Sequence, residues 1–286
     1  MTTVSGILVI GSGAMGRQIG MAAAVAGFTT TVRDVDPDAV TAAETDMRRW
    51  LEGRVVKGRL TAAQAADAGE RIRFTTELEG PAAGADLVIE AATERLDVKR
   101  AIFAELDRLT PPHAVLATNS STLGSSTVAD ATGRPDRVCN LHFFNPALVM
   151  RAVEIVRNEH TSDETVATVT EVARAMGKTP VLLTREIPGF VANRLMAAVR
   201  EEALALYADG IASFEDIDAA ARDALGHPMG PFELMDLVGL DVSYLIRRAA
   251  FEQSGDPKDL PHPLLTAKYE AGEFGRKTGK GWYGYA

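Results

Sequence analysis

The sequence has a single cysteine, Cys139, so no disulfide can form within the chain. That fits a reducing compartment and excludes a small secreted scaffold stapled by disulfides. In its segment, VCNLHFF, the plain reading of Cys139 is a buried small apolar side chain; the sharper one is a reactive thiol. No apolar run approaches the roughly 20 residues that a membrane helix needs. The opening MTTVSGILVIGSG lacks the basic start and long apolar stretch of a secretion signal, so a cytoplasmic protein is expected. Positive charge is also short: 30 Lys and Arg against 39 Asp and Glu give a net charge of -9. Such a surface argues against nucleic acid or an anionic membrane as partner, although a local basic cluster can still hold an anionic ligand. What remains is an ordinary globular composition, in a chain long enough for one large domain or two modest ones.

Short β-branched runs alternate with helical stretches through the first two thirds. Ile7–Ile10 is predicted as a buried strand, Ala14–Ala26 as an Ala-rich helix closed by Gly27, and Thr29–Val32 as the next strand, ending at Asp34. A strand–helix–strand unit of this kind builds a parallel sheet through a right-handed crossover. Asp36-Pro37 starts a long helix to about Val56. Further strands are predicted at Ile72–Thr75, Leu87–Glu90, Val115–Thr118 and Val138–Phe143, with a helix from about Glu94 to Leu109 among them. Val149–Val156 is β-rich and, after the turn at Asn145-Pro146, is expected to return antiparallel. A helix capped by Ser162 or Asp163 runs to Met176 and precedes a strand at Pro180–Leu183. Beyond Pro188 only helices are predicted, over Phe190–Ala208, Phe214–Ala224, Phe232–Val238 and Val242–Gln253. The expected architecture is an α/β N-terminal domain with a mostly parallel sheet, residues 1–187, followed by an all-α C-terminal domain, residues 188–286.

Gly11-Ser12-Gly13-Ala14-Met15-Gly16 fits the pattern G-x-G-x-x-G. Its place between a strand and a helix, with an acidic residue closing the next strand, is what marks a dinucleotide-binding turn. Gly11 makes the tight turn, Gly13 lets a pyrophosphate approach, and Gly16 lets helix and strand pack closely. The free N–H groups and dipole of the helix start then favour the phosphates. Asp34 is expected to accept hydrogen bonds from ribose hydroxyls and to repel a 2′-phosphate by roughly 2 kcal/mol at about 4 Å in water. Arg33 faces the other side of its strand, so NAD is the expected cofactor.

Among the five histidines, His142 stands apart because it ends a buried-looking strand, at the place where α/β sheets bind ligands. Glu154 lies on the following β-rich segment, and a turn through Asn145-Pro146 brings the two within reach. A carboxylate that orients an imidazole and stabilises its cation is what a general base needs. The competing reading of His142 is a satisfied core histidine.

The heptapeptide Asn140-Leu141-His142-Phe143-Phe144-Asn145-Pro146 closely resembles the signature of the 3-hydroxyacyl-CoA dehydrogenase family. So do Ala117–Leu123, Ile187–Arg194, His227–Leu234 and Phe274–Tyr283, in order along essentially the whole chain. The form resembled is the single-function, 3-hydroxybutyryl-CoA dehydrogenase-like one. The resemblance implies a Rossmann-like NAD-binding domain, a helical substrate and dimerisation domain, and a homodimer formed through the latter. It implies NAD-dependent oxidation of L-3-hydroxyacyl-CoA to 3-oxoacyl-CoA, and the reverse. By the same resemblance His142 removes the 3-hydroxyl proton, Glu154 holds the ring, and Ser121 and Asn193 donate to substrate oxygens. Glu94, Lys99, Ser121, Asn145 and Lys277 match positions that contact NAD, while Lys57 and Ser121 match positions used for coenzyme A. No metal is implied.

The basic segment Arg48, Arg49, Arg54, Lys57 and Arg59 suits the phosphorylated ADP of coenzyme A, with a solvated helix face as the alternative. There are departures: Trp50 stands where the animal enzyme uses a serine near coenzyme A, and Leu148 where many relatives have proline. Ser120 and Thr122 exchange hydroxyl types with theirs. Two other readings stay open. One is a dehydrogenase of a free hydroxy acid in the same superfamily, such as L-gulonate or carnitine dehydrogenase. The other is a non-enzymatic NAD-binding structural protein.

Overall fold

The computed structural model describes residues 3–285. Its N-terminal unit ends at Val191 and its second unit begins at Ala192. In the first unit the elements run β1 (Gly6–Ile10), α1 (Ala14–Val25), β2 (Thr29–Arg33), α2 (Pro37–Val56), α3 (Ala62–Arg71) and β3 (Ile72–Thr75). They continue with α4 (Glu79–Ala83), β4 (Leu87–Glu90), α5 (Leu96–Leu109), β5 (Val115–Thr118), α6 (Ser126–Ala129) and β6 (Val138–Phe143). The unit closes with β7 (Ala152–Val156), α7 (Asp163–Ala175) and β8 (Thr179–Leu183). All eight strands form one sheet in the order β3-β2-β1-β4-β5-β6-β7-β8. The first six run parallel, β7 pairs antiparallel with β6, and β8 lies parallel to β7.

The order reverses at β1, flanked by β2 and β4, so a crevice opens beyond its carboxyl end, where such sheets bind ligands. Helices cover both faces. Ile7, Val9, Leu141 and Phe143 pack with Ile19 of α1 and Val169 of α7 on one side. Leu8, Ile10, Val88 and Leu116 pack with Phe103 and Leu106 of α5 on the other. Burial on both faces is why these strands read as continuous apolar runs. The β7 segment is shorter than the β-rich stretch suggested: Val149 and Met150 both donate their amides to the Pro146 carbonyl, which holds them in a turn.

The second unit contains α8 (Ala192–Ala208), α9 (Phe214–Asp223), α10 (Pro231–Val238), α11 (Leu240–Ser254) and α12 (Pro263–Glu270). Its core gathers Leu204, Phe232, Met235, Leu240, Leu265 and Trp282. Two buried carboxylates organise it. Asp218 accepts from the amides of Phe232 and Glu233 at the start of α10 and from the Tyr283 hydroxyl. Burial pushes the Asp218 pKa up against the pull of these bonds. Asp236 accepts from the amides of Trp282 and Tyr283 and from the Tyr285 hydroxyl, pinning the C-terminal segment. A side chain at Gly230 would meet Asp218 at 2.3 Å and one at Gly281 would meet Asp236 at 2.0 Å, so these motif glycines serve packing.

Candidate active site

The turn between β1 and α1 is shaped for a dinucleotide. Gly11 has φ 99°, and a Cβ there would meet the Ala91 carbonyl oxygen at 2.6 Å. A Cβ on Gly16 would lie 1.8 Å from the Gly11 carbonyl oxygen, so only glycine lets α1 sit this close to its own turn. At Gly13 nothing lies within 4 Å of where a Cβ would stand. That open space faces a helix start with no side-chain cap, whose N–H groups are available to an anion. Ser12 is buried, and its amide and hydroxyl both donate to Asp34 Oδ2, at 2.7 and 3.0 Å. Burial works to raise the Asp34 pKa, but the bonds from Ser12 and the Asp36 amide outweigh it and hold the carboxyl below its ordinary value. It is therefore ionised at neutral pH, as a ribose acceptor must be. These features fit NAD.

Beneath the same crevice, at the ends of β4 and β5, lies a buried polar cluster. Lys99 Nζ sits 2.5 Å from Glu90 Oε2, and the Thr118 hydroxyl donates to the same oxygen at 2.8 Å. All three residues are at most 1 % exposed. Glu90 Oε1 accepts from the Ala92 amide at 2.9 Å, which fixes the turn that packs against Gly11. Lys99 is thus placed under the strand ends with its ammonium engaged, whereas Glu94 is exposed and accepts from the hydroxyls of Ser120 and Thr122. Glu90 and Thr118 were missed from sequence; a charged residue closing the apolar strand Leu87–Glu90 was the available signal.

The antiparallel pairing of β6 and β7 sets His142 directly opposite Glu154. His142 Nδ1 lies 2.9 Å from Glu154 Oε2, and both residues are buried. The second carboxylate oxygen accepts from the Val191 amide at 2.9 Å. The rings of Phe144 and Phe190 stand 4.6 and 5.6 Å from the imidazole and limit its rotation. Phe190 takes φ 47°, uncommon for a side chain of this size. On the neighbouring loop after β5, Ser120 and Thr122 spend their hydroxyls on Glu94. Ser121 between them is half-buried, and its hydroxyl has no partner among the described residues. Asn145 is exposed in the turn after β6, where the peptide to Pro146 is cis. The carbonyls of that turn, Ala147 and Met150, accept from the Lys178 ammonium.

The remaining expected residues lie elsewhere. Of the basic segment, Arg48 pairs with Glu44 at 3.0 Å and Arg49 approaches Asp46 at 3.8 Å. Arg54 lies over the Trp50 ring at 5.0 Å. Lys57 and Arg59 are exposed and have no carboxylate partner among the described residues, so free positive charge collects at the end of α2. In the helical unit, Asn193 is half-buried in the first turn of α8, and Lys277 pairs with Asp241 at 2.6 Å. Among the described residues no helix is long and apolar enough to cross a membrane.

A Rossmann-type sheet, a glycine turn fitted for NAD and a buried histidine–carboxylate pair at the end of β6 define the class: a nicotinamide-dependent oxidoreductase. Residues 6–187 match the model of the 3-hydroxyacyl-CoA dehydrogenase NAD-binding domain, and residues 189–285 that of the family's C-terminal domain. The chain belongs to the 3-hydroxyacyl-CoA dehydrogenase family and is an NAD-dependent enzyme of that kind. It is 40% identical to a probable 3-hydroxybutyryl-CoA dehydrogenase of Bacillus subtilis, over 98% of this chain and 96% of that one. The crystal structure of (S)-3-hydroxybutyryl-CoA dehydrogenase from Ralstonia eutropha superposes with TM-score 0.91 at 34% identity, covering 99% of this chain and all of the other. A diketoreductase structure superposes with TM-score 0.87 at 35% identity, with both chains covered in full.

Proposed function

We propose that the protein oxidises L-3-hydroxyacyl-CoA, for example 3-hydroxybutyryl-CoA, to 3-oxoacyl-CoA and runs the reverse reduction, with His142 as general base. The supporting observation is the buried 2.9 Å bond between His142 Nδ1 and Glu154. An imidazole held through Nδ1 presents Nε2 to substrate, and the buried carboxylate stabilises the cation formed when Nε2 takes the hydroxyl proton. NAD, when bound, supplies the hydride acceptor. Ser121 donates its unused hydroxyl to the substrate oxygen, which favours the ketone's developing charge in the reductive direction. Lys57 and its exposed basic neighbours take the phosphates of coenzyme A. Arg54 lies over Trp50 in the same stretch, so the adenine end meets a packed Arg–Trp pair there.

The likeness to a diketoreductase keeps a free oxo substrate as the second reading. NADH oxidation, followed by nicotinamide absorbance, separates the two. Acetoacetyl-CoA is expected to be reduced rapidly, with free acetoacetate, dehydrocarnitine and NADPH giving little. Turnover on a free oxo acid with silence on the thioester would move the enzyme to the free-acid branch and reduce the basic segment to a solvated face.

Cofactor choice gives a second expected result. Asp34→Ala removes the charge that opposes a 2′-phosphate, about 2 kcal/mol at close range, so the NAD/NADP preference should narrow by about 10- to 30-fold. Both affinities fall somewhat, because Ser12 loses its acceptor. An unchanged ratio of kcat/KM for the two cofactors would remove Asp34 from the ribose site.

We also assign a second copy of the chain to the apolar groove of about 400 Å³ in the helical unit, lined by Leu195, Met196, Val199, Val238 and Ile246. Leu195 is 64% exposed and Ile246 58% exposed along this groove, so a partner that covered it would bury both.

A further inference from the structure

Asn140 is an anomaly in its strand. It is fully buried on β6, on the face it shares with His142 two residues on, in a strand whose other four side chains are apolar. A buried amide must have its hydrogen bonds met. All those that Asn140 makes go to one loop, the one that follows β5. Its Oδ1 accepts from the Ser125 amide at 2.7 Å, and its Nδ2 donates to the carbonyls of Ser120 at 3.2 Å and Leu123 at 3.0 Å. Those two carbonyls bracket Ser121 and Thr122. The start of the loop is tied to the same strand by Asn119, whose Oδ1 accepts from the Phe143 amide at 2.9 Å. Its far end is held from a second side: Glu186 accepts from the Ser125 hydroxyl, and Asn158 donates to it.

We propose that Asn140 is a positioning residue for the reaction: through its three bonds to the loop it fixes the Ser121 hydroxyl in register with His142. The strand supplies a rigid ruler, since residues two apart lie about 7 Å from one another on one face. The loop is too short for a ladder, and its own turn bonds, the Thr122 and Leu123 amides donating to the Ser120 hydroxyl, join residues within it. Asn119 ties its start to β6, and Asn140 ties the stretch around Ser121 there. Its neighbours' hydroxyls are consumed by Glu94, so the carbonyl grip of Asn140 decides where the remaining free hydroxyl stands. The inference rests on the donor role read for Ser121.

The test is a double-mutant cycle on the intact enzyme with acetoacetyl-CoA and NADH. Asn140→Asp keeps the acceptor for the Ser125 amide but turns a carboxylate oxygen on the two carbonyls. Asn140→Ala removes all three bonds and adds no charge. Either change is expected to lower kcat by about 10- to 100-fold, with KM and NADH affinity, read by fluorescence titration, within about threefold. In a Ser121→Ala background the same changes should cost less than about threefold, because there is no hydroxyl left to misplace. Asn140→Asp should also regain turnover as pH falls, since a protonated carboxyl can donate to one carbonyl. Losses that multiply in the double variants, or kcat within twofold of the parent, would overturn the proposal while leaving Ser121 in place. A Ser121→Ala enzyme with unchanged kcat would overturn the Ser121 reading, and this inference with it.

Discussion

Replacing His142 with glutamine is expected to lower kcat for acetoacetyl-CoA reduction by about 10²–10⁴-fold while NADH binding stays within a factor of about two. Glutamine is close in reach and keeps a donor for Glu154, so the fold around β6 and β7 has little reason to change. What it lacks is a nitrogen that exchanges a proton near neutral pH, which is the function assigned to Nε2. Glu154 would keep its second anchor, the Val191 amide at 2.9 Å. Cofactor affinity should survive because the contacts that shape its turn, from Ser12 to Asp34 and from Gly11 to Ala91, do not involve His142. Steady-state rates and an NADH fluorescence titration on the same sample decide the matter. Near-normal turnover would return His142 to the status of a satisfied core histidine.

That such a pair was legible at all in the sequence reflects the geometry of a tight antiparallel return. Twelve positions apart in the chain, His142 and Glu154 become direct partners once β6 and β7 pair across the turn at Asn145-Pro146. The strands at Ile72–Thr75, Leu87–Glu90, Val115–Thr118 and Val138–Phe143 stand where their apolar runs placed them. Buried parallel strands bounded by turns carry a strong signal. Four helices escaped notice. Helix α3 follows Thr61, whose side chain accepts from Gln64 in a capping box that was there to be read. Helices α4 and α6 are five and four residues long, too short for a 3.6-residue period to declare itself. Helix α12 opens on His262-Pro263 and, at eight residues, is too short for its buried Leu265 to show a helical period.

The polar clusters were illegible for a different reason. Glu90 meets Thr118 only because β4 and β5 are neighbours, and meets Lys99 only because α5 packs against the end of β4. Asn140 meets the Ser121 loop only because β5 and β6 are neighbours. Spacing along the chain shows that strands exist but does not say which hydrogen-bond acceptor faces which donor across them. Family motifs filled part of that gap by naming Ser121 and Lys99. They did not distinguish a side chain that touches ligand from one that holds the wall of the site.

Lys99 makes that distinction measurable. Lys99→Met should cost about 3–5 kcal/mol, because it strands the Glu90 carboxylate, 0% exposed, without its cation. For a unit of this size each kcal/mol moves the thermal midpoint by about 2–4 °C, so a fall of roughly 6–20 °C is expected by calorimetry. Adding Glu90→Gln should restore most of it, since a neutral amide oxygen still accepts from the Ala92 amide and no uncompensated charge remains. NADH affinity, measured well below the midpoint, then separates two roles. If Lys99 contacted the cofactor directly, affinity would stay low in the double variant. If Lys99 acts through Glu90 on the Ala92 turn that packs against Gly11, affinity should recover together with stability. A single variant that melts within 2 °C of the parent would mean that the buried pair holds neither the fold nor the turn.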